Sequence, residues 1–337
     1  MVRRSDRGAT LSFVRCTRCP RHDQPTAYPR EALVDRFIAQ AIASIAEDSV
    51  SGAVEIAEKS AEALQRLARN DQSAHIDELR RRLLEIGWGL IRIHPTMAPL
   101  VNLVNGVLWK INDAPTVEAA RHAITVATGD FKRHIHVHEA AIAETARRLI
   151  PEDGQVLTNG RSTTVRAALR NAQRAGRRFR VICAEGRPGC EGRSLAAELA
   201  AGGIPVTLVI DALAVALVSE SQLVLVGADH LSGHGLVNKV GTYAIALAAK
   251  ESGVAMYALC GSEKFLPPGF VPPGQARWPA DQVWADVPAG VAISNIYYDS
   301  TPLAALAGIV TEQGVQPTVG IEAWLAATKL HPGLKQA

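Results

Sequence analysis

The second half of the chain alternates short apolar runs with helical stretches, and that alternation leaves few ways to fold. After Pro151 the runs are Val156-Leu157-Thr158, Arg180 to Cys183, Val206 to Ile210, Leu223 to Val226 and Ala255 to Leu259. Helical periodicity fills the gaps, over Thr163 to Gln173, Ser194 to Ala201, Ala212 to Val218 and Tyr243 to Lys250. Apolar strands separated by helices pair in parallel, and their crossovers are right-handed. The expectation is an α/β fold: a Rossmann-like, doubly wound, mostly parallel sheet over residues 151–315, with helices on both faces. Ala292-Ile293-Ser294 reads as one more edge strand, Leu303 to Val310 as a closing helix, and 316–337 as a C-terminal extension.

Residues 31–150 read differently. Ala32-Leu33, Phe37-Ile38, Ala41-Ile42 and Ile45 recur at three- and four-residue spacing, as do apolar positions in Ala61 to Ala68, Ile76 to Trp88 and Val117 to Thr128. This is a helical domain. Residues 1–30 are arginine-rich, carry three prolines and read as a poorly ordered tail. Cys16, Cys19 and His22 within it have half the spacing of a zinc site, but no second pair lies nearby.

Bulk properties exclude several classes. Net charge is +3 and the charges are interspersed, so nucleic acid is disfavoured as a ligand. No apolar run approaches the roughly 18 residues that span a membrane, and the first 30 residues hold no secretory h-region. Five cysteines without a framework pattern point to a reduced, cytoplasmic protein. Neither a phosphate-binding GxxxxGK[ST] loop nor a dinucleotide GxGxxG follows a strand, so no cofactor is expected.

Polar residues gather at the carboxyl ends of the strands, where open α/β sheets bind ligands. The first run ends in Asn159-Gly160-Arg161-Ser162, the second in Glu185-Gly186-Arg187-Pro188 followed by Glu191, and the third in Asp211. The fourth ends in Gly227-Ala228-Asp229, then a glycine-rich turn, then Asn238-Lys239 before an alanine-rich helix. An ammonium at a helix start suits a phosphate, as do Gly160, Ser162 and the arginines Arg161 and Arg187. Two of these residues have structural alternatives: Arg187 as the partner of Glu185, and Asp211 as a helix cap. His134 and His138 share a helix face at metal-ligand spacing, but lack a third ligand; a solvated face is the expectation, and no metal.

In this order the motifs resemble the initiation factor 2B alpha/beta/delta family, which includes methylthioribose-1-phosphate isomerase and ribose-1,5-bisphosphate isomerase. The matching pieces are Ser51-Gly52-Ala53, His94-Pro95-Thr96, Leu157-Thr158 with Ser162, Glu185-x-Arg187-Pro188 with Glu191-Gly192, Asp211, Gly227-Ala228-Asp229, Asn238-Lys239-x-Gly241-Thr242, Asp299-x-Thr301-Pro302 and Thr311-Glu312-x-Gly314. The resemblance implies a homodimer or higher oligomer. It implies Asp229 as an acid–base residue and Asn238 and Lys239 as phosphate ligands, with Gly52, Ala53, His94 and Glu191 in the same site. Three positions depart from the isomerase pattern: its cysteine is Gly160, and two of its arginines are Ser51 and His94. The expected ligand is therefore a phosphorylated sugar or nucleotide, bound in a regulatory or assembly role. The alternative is an aldose–ketose isomerase of a ribose 1-phosphate derivative with Asp229 as acid/base and, in one version, Cys183 in the missing thiol's place.

Overall fold

The carboxyl ends of a parallel sheet meet the end of a helical layer, and this meeting positions the site. The computed structural model describes residues 36–48, 51–274 and 278–335. The expectations of an N-terminal tail and of zinc at Cys16 and Cys19 lie outside these residues.

The helical layer comprises α1 (Arg36–Glu47), α2 (Ala53–Asn70), α3 (Ile76–Ile93), α4 (Ala98–Ile111) and the long α5 (Val117–Leu149). Local chemistry sets their starts. The Gly52 N–H donates to Glu55 Oε2 at 3.0 Å ahead of α2, Pro99 stands in the first turn of α4, and Thr116 caps α5 by accepting from Ala119 N–H. Leu64, Leu79, Leu83, Leu90, Leu100 and Ile124 bury their apolar faces together in one core. Leu266 and Phe270, from beyond the sheet's fifth strand in the chain, join that core.

The second half runs β1 (Gly154–Asn159), α6 (Thr163–Arg174), β2 (Phe179–Ala184), α7 (Gly192–Ala201), β3 (Val206–Val209), α8 (Asp211–Ala216), β4 (Leu223–Val226), β5 (His230–Ser232), β6 (Gly235–Lys239), α9 (Thr242–Ser252), β7 (Met256–Leu259), β8 (Tyr298–Thr301), β9 (Gly308–Thr311), β10 (Gly314–Gln316) and α10 (Ile321–Leu325). The main sheet is seven-stranded, ordered β10-β9-β7-β4-β1-β2-β3, and parallel except for β10. One face packs Val165, Leu169, Leu195 and Leu199 of α6 and α7 with the end of α5; the other packs Ala214, Ile245, Ala246 and Ile321 of α8, α9 and α10. The chain leaves β1 toward β2 and β3, then returns to lay β4 on the opposite side of β1. The crevice between β1 and β4 is thus the switch point of the sheet.

Three local expectations are corrected. The glycine-rich turn after Asp229 is the tip of a hairpin: β5 and β6 flank Gly233-His234 and pair antiparallel, and β8 joins them in a separate three-stranded sheet. Asn238 and Lys239 therefore end a strand, and the helix begins at Thr242. Residues 292–294 form no strand; pairing with β6 falls to Tyr298–Thr301 instead. Leu303 to Val310 form a short 3-10 turn and then β9, because Ile309 and Val310 pair in parallel with Ala258 and Leu259 and bury both sheet faces.

Candidate functional site

The site is built on backbone that side chains cannot occupy. Gly160 turns the chain out of β1 at φ +66°, and Ser162 then caps α6, its Oγ accepting from Val165 N–H at 3.3 Å. A Cβ on Gly227, at the end of β4, would stand 2.6 Å from that hydroxyl. The two strand ends approach closely because residue 227 has no side chain.

Asp229 is held from two directions. Its N–H donates to the Val237 carbonyl at 2.9 Å, and its own carbonyl accepts from Ala98 N–H of α4 at 3.1 Å. Burial pushes its carboxyl pKa up to about 7, a rise that the Lys264 and Lys239 ammoniums oppose and the Glu191 carboxylate reinforces. The group therefore exchanges a proton near neutral pH. Asn238 Nδ2 donates to Thr242 Oγ1 at 3.1 Å, and Asn159 Nδ2 reaches the same hydroxyl at 3.3 Å. Lys239 is 5% exposed; its Nζ lies 2.9 Å from Glu191 Oε1 and 4.2 Å from the Tyr297 ring centre. Burial raises the Glu191 carboxyl above its usual range, against the pull of Lys239. Asp299 accepts from the N–H groups of Gly241 and Tyr243 at 2.8 and 3.2 Å and so fixes the start of α9 beside the site.

These groups enclose a cavity of about 60 Å³. Of the residues singled out in the sequence, Gly52, Arg161, Ser162, Glu191, Asp229, Asn238 and Lys239 line it, and Gly160 adjoins it through Lys239 and Glu191. Ser51, Met97, Asn159, Tyr297 and Tyr298 line it as well, and Lys264, 3% exposed, acts on Asp229 from behind. Asn159 stands at the strand end where the sequence reading puts it, and Ser51 at the position of an isomerase arginine; the sequence reading does not assign Met97, Tyr297, Tyr298 or Lys264 to the site. A tyrosine pair beside the Asp299 motif was the one signal for Tyr297 and Tyr298; Met97 and Lys264 carried none. A larger groove of about 550 Å³, between the β5–β6 hairpin, the proline-rich 267–272 segment and α10, is mostly apolar and gathers none of the strand-end acids.

Other sequence candidates stand elsewhere. Ala53 is buried in the helical core. His94 ends α3, with Nε2 3.1 Å from the Ile45 carbonyl oxygen, and burial lowers its pKa, so it supplies no cation. Arg161 reaches the cavity wall, but its guanidinium is gripped by Glu55 at 2.5 and 2.9 Å and by Glu198 at 3.2 Å. Arg187 does not pair with Glu185: it is exposed and donates to the Val283 carbonyl, while Glu185 pairs with Arg193. Asp211 caps no helix through its side chain; it accepts from the N–H groups of Gly186 and Arg187 at 2.8 and 2.7 Å and so holds the turn after β2. Cys183 is fully buried, directs its thiol to the Gly192 carbonyl, and burial pushes its pKa to about 12. It cannot stand in for a thiol in the cavity. Of the two histidines that share a face of α5, His134 is exposed as expected, whereas His138 is mostly shielded, with Nδ1 2.9 Å from Glu263; His136, two residues on and exposed, pairs with Glu58. Among the described residues no group of three or more His, Cys, Asp or Glu side chains is arranged to hold a metal. No helix there is long and apolar enough to cross a membrane.

Known proteins share this architecture. The profile of the Initiation factor 2 subunit family matches residues 49–318. Ribose 1,5-bisphosphate isomerase of Archaeoglobus fulgidus is 30% identical over 287 residues, covering 83% of this chain and 90% of that protein. The crystal structure of the Pyrococcus horikoshii OT3 translation initiation factor eIF-2B superposes with a TM-score of 0.73 at 28% identity, over 84% of this chain and 97% of that one. The tetrameric eIF2B-beta2-delta2 complex from C. thermophilum gives a TM-score of 0.67 at 25% identity, over 86% and 92%.

Proposed function

The chain belongs to the Initiation factor 2 subunit family, and from that premise we propose that it binds a phosphorylated sugar or nucleotide in the cavity between β1 and β4, in a regulatory or assembly role. The observation that carries this reading is the convergence of Lys239, Asn238 and the capped start of α6 on one side of Asp229. An ammonium, an amide and a helix N-terminus together suit a phosphoryl group. Lys264 adds a buried positive charge behind the carboxyl group. The regulatory role follows from Gly160, Ser51 and His94, which offer neither a thiol nor guanidinium donors.

A second reading is favoured by Asp229 itself. A buried carboxyl group with a pKa of about 7 on the wall of a cavity is suited to shuttling a proton between neighbouring carbons or oxygens of a sugar, a contribution of about 10²–10⁴-fold. The chain would then be an aldose–ketose isomerase of a ribose 1-phosphate derivative.

Self-association as a dimer or larger assembly belongs to the proposal. The edge strand β3 and the start of α8 leave Leu208, Ile210 and Leu213 exposed, an apolar edge of the kind that partners cover. A cytoplasmic location completes it.

Thermal unfolding with ribose phosphates and AMP tests binding. A rise in Tm that Lys239→Ala abolishes supports it, and no shift with any phosphorylated sugar rejects it. Incubation with ribose 1,5-bisphosphate and methylthioribose 1-phosphate, followed by NMR for the ketose, separates the two readings. Turnover that Asp229→Asn removes establishes the enzyme; none across a broad panel leaves the regulator.

A further inference from the structure

We propose that Glu191 determines the specificity of this cavity: its carboxylate sits on the Lys239 ammonium in place of a ligand anion, and only a doubly charged phosphate monoester displaces it. The inference rests on the reading of the cavity as a sugar-phosphate site.

The contact is close and enclosed. Lys239 Nζ lies 2.9 and 3.2 Å from the two oxygens of Glu191, and the Tyr297 ring closes another side at 4.2 Å. The cation best placed to grip a ligand is already gripped. No neighbouring arginine can take its role, because Arg161 is engaged by Glu55 and Glu198, and Arg187 points outward to Val283. An incoming anion must therefore compete with Glu191 for Lys239.

Space leads to the same place. The cavity is small, about 60 Å³, and partly open to solvent, so a sugar phosphate that reaches Lys239 either projects through the opening or displaces a lining side chain. The surroundings of Glu191 are cleared for such a displacement. Three glycines ring the carboxylate: a Cβ would stand 3.2 Å from it at Gly160, 3.2 Å at Gly186 and 2.9 Å at Gly189. Glu191 opens α7 but makes no capping bond to it, so its side chain can swing without unwinding the helix.

Charge sets the discrimination. Displacement leaves a buried carboxylate without its partner, which is costly. At equal distance from Lys239 a dianion gains about twice the Coulomb attraction of a monoanion. A sugar acid merely exchanges one carboxylate for another; a neutral sugar offers no exchange.

Isothermal titration of the full chain with ribose 5-phosphate, ribonate and ribose tests this. The wild type is expected to bind ribose 5-phosphate at least 100-fold more tightly than ribonate. Glu191→Gln is expected to bind ribose 5-phosphate about tenfold more tightly than wild type, and to narrow its preference over ribonate to below tenfold. Glu191→Ala, which only removes atoms, gives the same order if the glutamine variant folds poorly. If the wild type binds ribose 5-phosphate and both variants bind it equally or more weakly, Glu191 is no competitor and the inference falls while the site stands. If neither wild type nor variants bind, or Lys239→Ala binds as wild type does, the reading of the cavity falls with it.

Discussion

The Ala98 N–H of α4 donates to the Asp229 carbonyl at 3.1 Å, so the residue with the most perturbed carboxyl group in the cavity is tied by its backbone to the helical layer. Ala98 is the first residue of α4, where a missing N–H costs the helix nothing. Its predecessor Met97 already has a non-helical, extended backbone (φ −93°, ψ 95°), outside the α region that a following proline disfavours. Ala98→Pro thus deletes this one bond and leaves a buried carbonyl unpaired. The expected loss is about 1–3 kcal/mol in urea unfolding with unchanged far-UV circular dichroism. No loss would mean that the seam is held by other contacts, such as Asn102, whose Nδ2 donates to the carbonyls of Glu263 and Phe265.

Asp229 makes stability depend on pH in an unusual direction. Its folded pKa, about 7, lies above the 3.8 of an ordinary aspartate. Below 3.8 both states hold the proton. Between 3.8 and 7 the unfolded chain loses it first, so the folded state weakens as pH rises, and above 7 the full penalty is present. That span corresponds to about 4 kcal/mol. Asp229→Asn removes it, so the variant's advantage over wild type should grow from pH 4 to pH 7 and then level. A difference that shrank with rising pH would show that the carboxylate is stabilised, against the burial argument.

Much of the sheet was legible because β1, β2, β4 and β7 are apolar on both faces. Tertiary pairing decided the rest. The segment Leu303 to Val310 has apolar residues at spacings that suit a helix, and only the parallel partner β7 makes its end a strand. The three-residue β5 is too short to show a period, so the hairpin after Asp229 read as a turn. In the site, Asp229, Asn238 and Lys239 were legible as strand-end residues. Their engagement was not. That Arg161 faces Glu55, 106 positions away, and that Lys239 faces Glu191 follow from the start of α2 meeting the turn after β1 and from α7 packing on the sheet, which no local spacing encodes.

Gly160 has a backbone conformation that side chains resist, and its missing Cβ leaves room for two functional groups. Gly160→Ala would carry φ +66° and place its methyl 3.2 Å from both Glu191 Oε1 and Lys239 Cγ. The left-handed backbone alone costs about 1–2 kcal/mol. The variant should lose at least that much in chemical unfolding, and any Tm shift with ribose 5-phosphate should fall with it. Gly176, also left-handed at φ +86° but with nothing within 4 Å, is the control: its alanine variant should show the backbone cost alone.

Arg161 acts as a strut. Its side chain is 10% exposed and joins Glu55 at the start of α2 to Glu198 on α7, where Arg166 shares the load. Glu55 also accepts from Gly52 N–H, so the strut fixes the glycine that borders the cavity. Arg161→Met keeps the stem and deletes the fork. It should destabilise by about 2 kcal/mol, below the 3–5 of a fully buried pair because both glutamates are partly exposed. Glu55→Gln with Arg161→Met should cost less than the two single changes added, and strict additivity in this double-mutant cycle would sink the idea.

His138 couples α5 to the sheet's far edge through a charge that pH controls. Its Nδ1 lies 2.9 Å from Glu263 and 4.0 Å from Glu312, and its ring stacks on His134 at 6.0 Å. The bond to Glu263 raises its pKa above 6.5, burial opposes, and the fields of Glu263 and Glu312 add to the rise. A histidine with a raised folded pKa lends stability that is complete below 6.5 and lost as pH climbs through the folded value. His138→Gln retains an N–H for Glu263 and loses the charge. The wild type should therefore exceed the variant in stability at pH 6 by more than at pH 9, and 0.5 M salt should shrink the pH 6 difference only modestly, because the two side chains are 20% and 8% exposed and largely shielded from counterions. Equal differences at both pH values would assign the contact to packing rather than to charge.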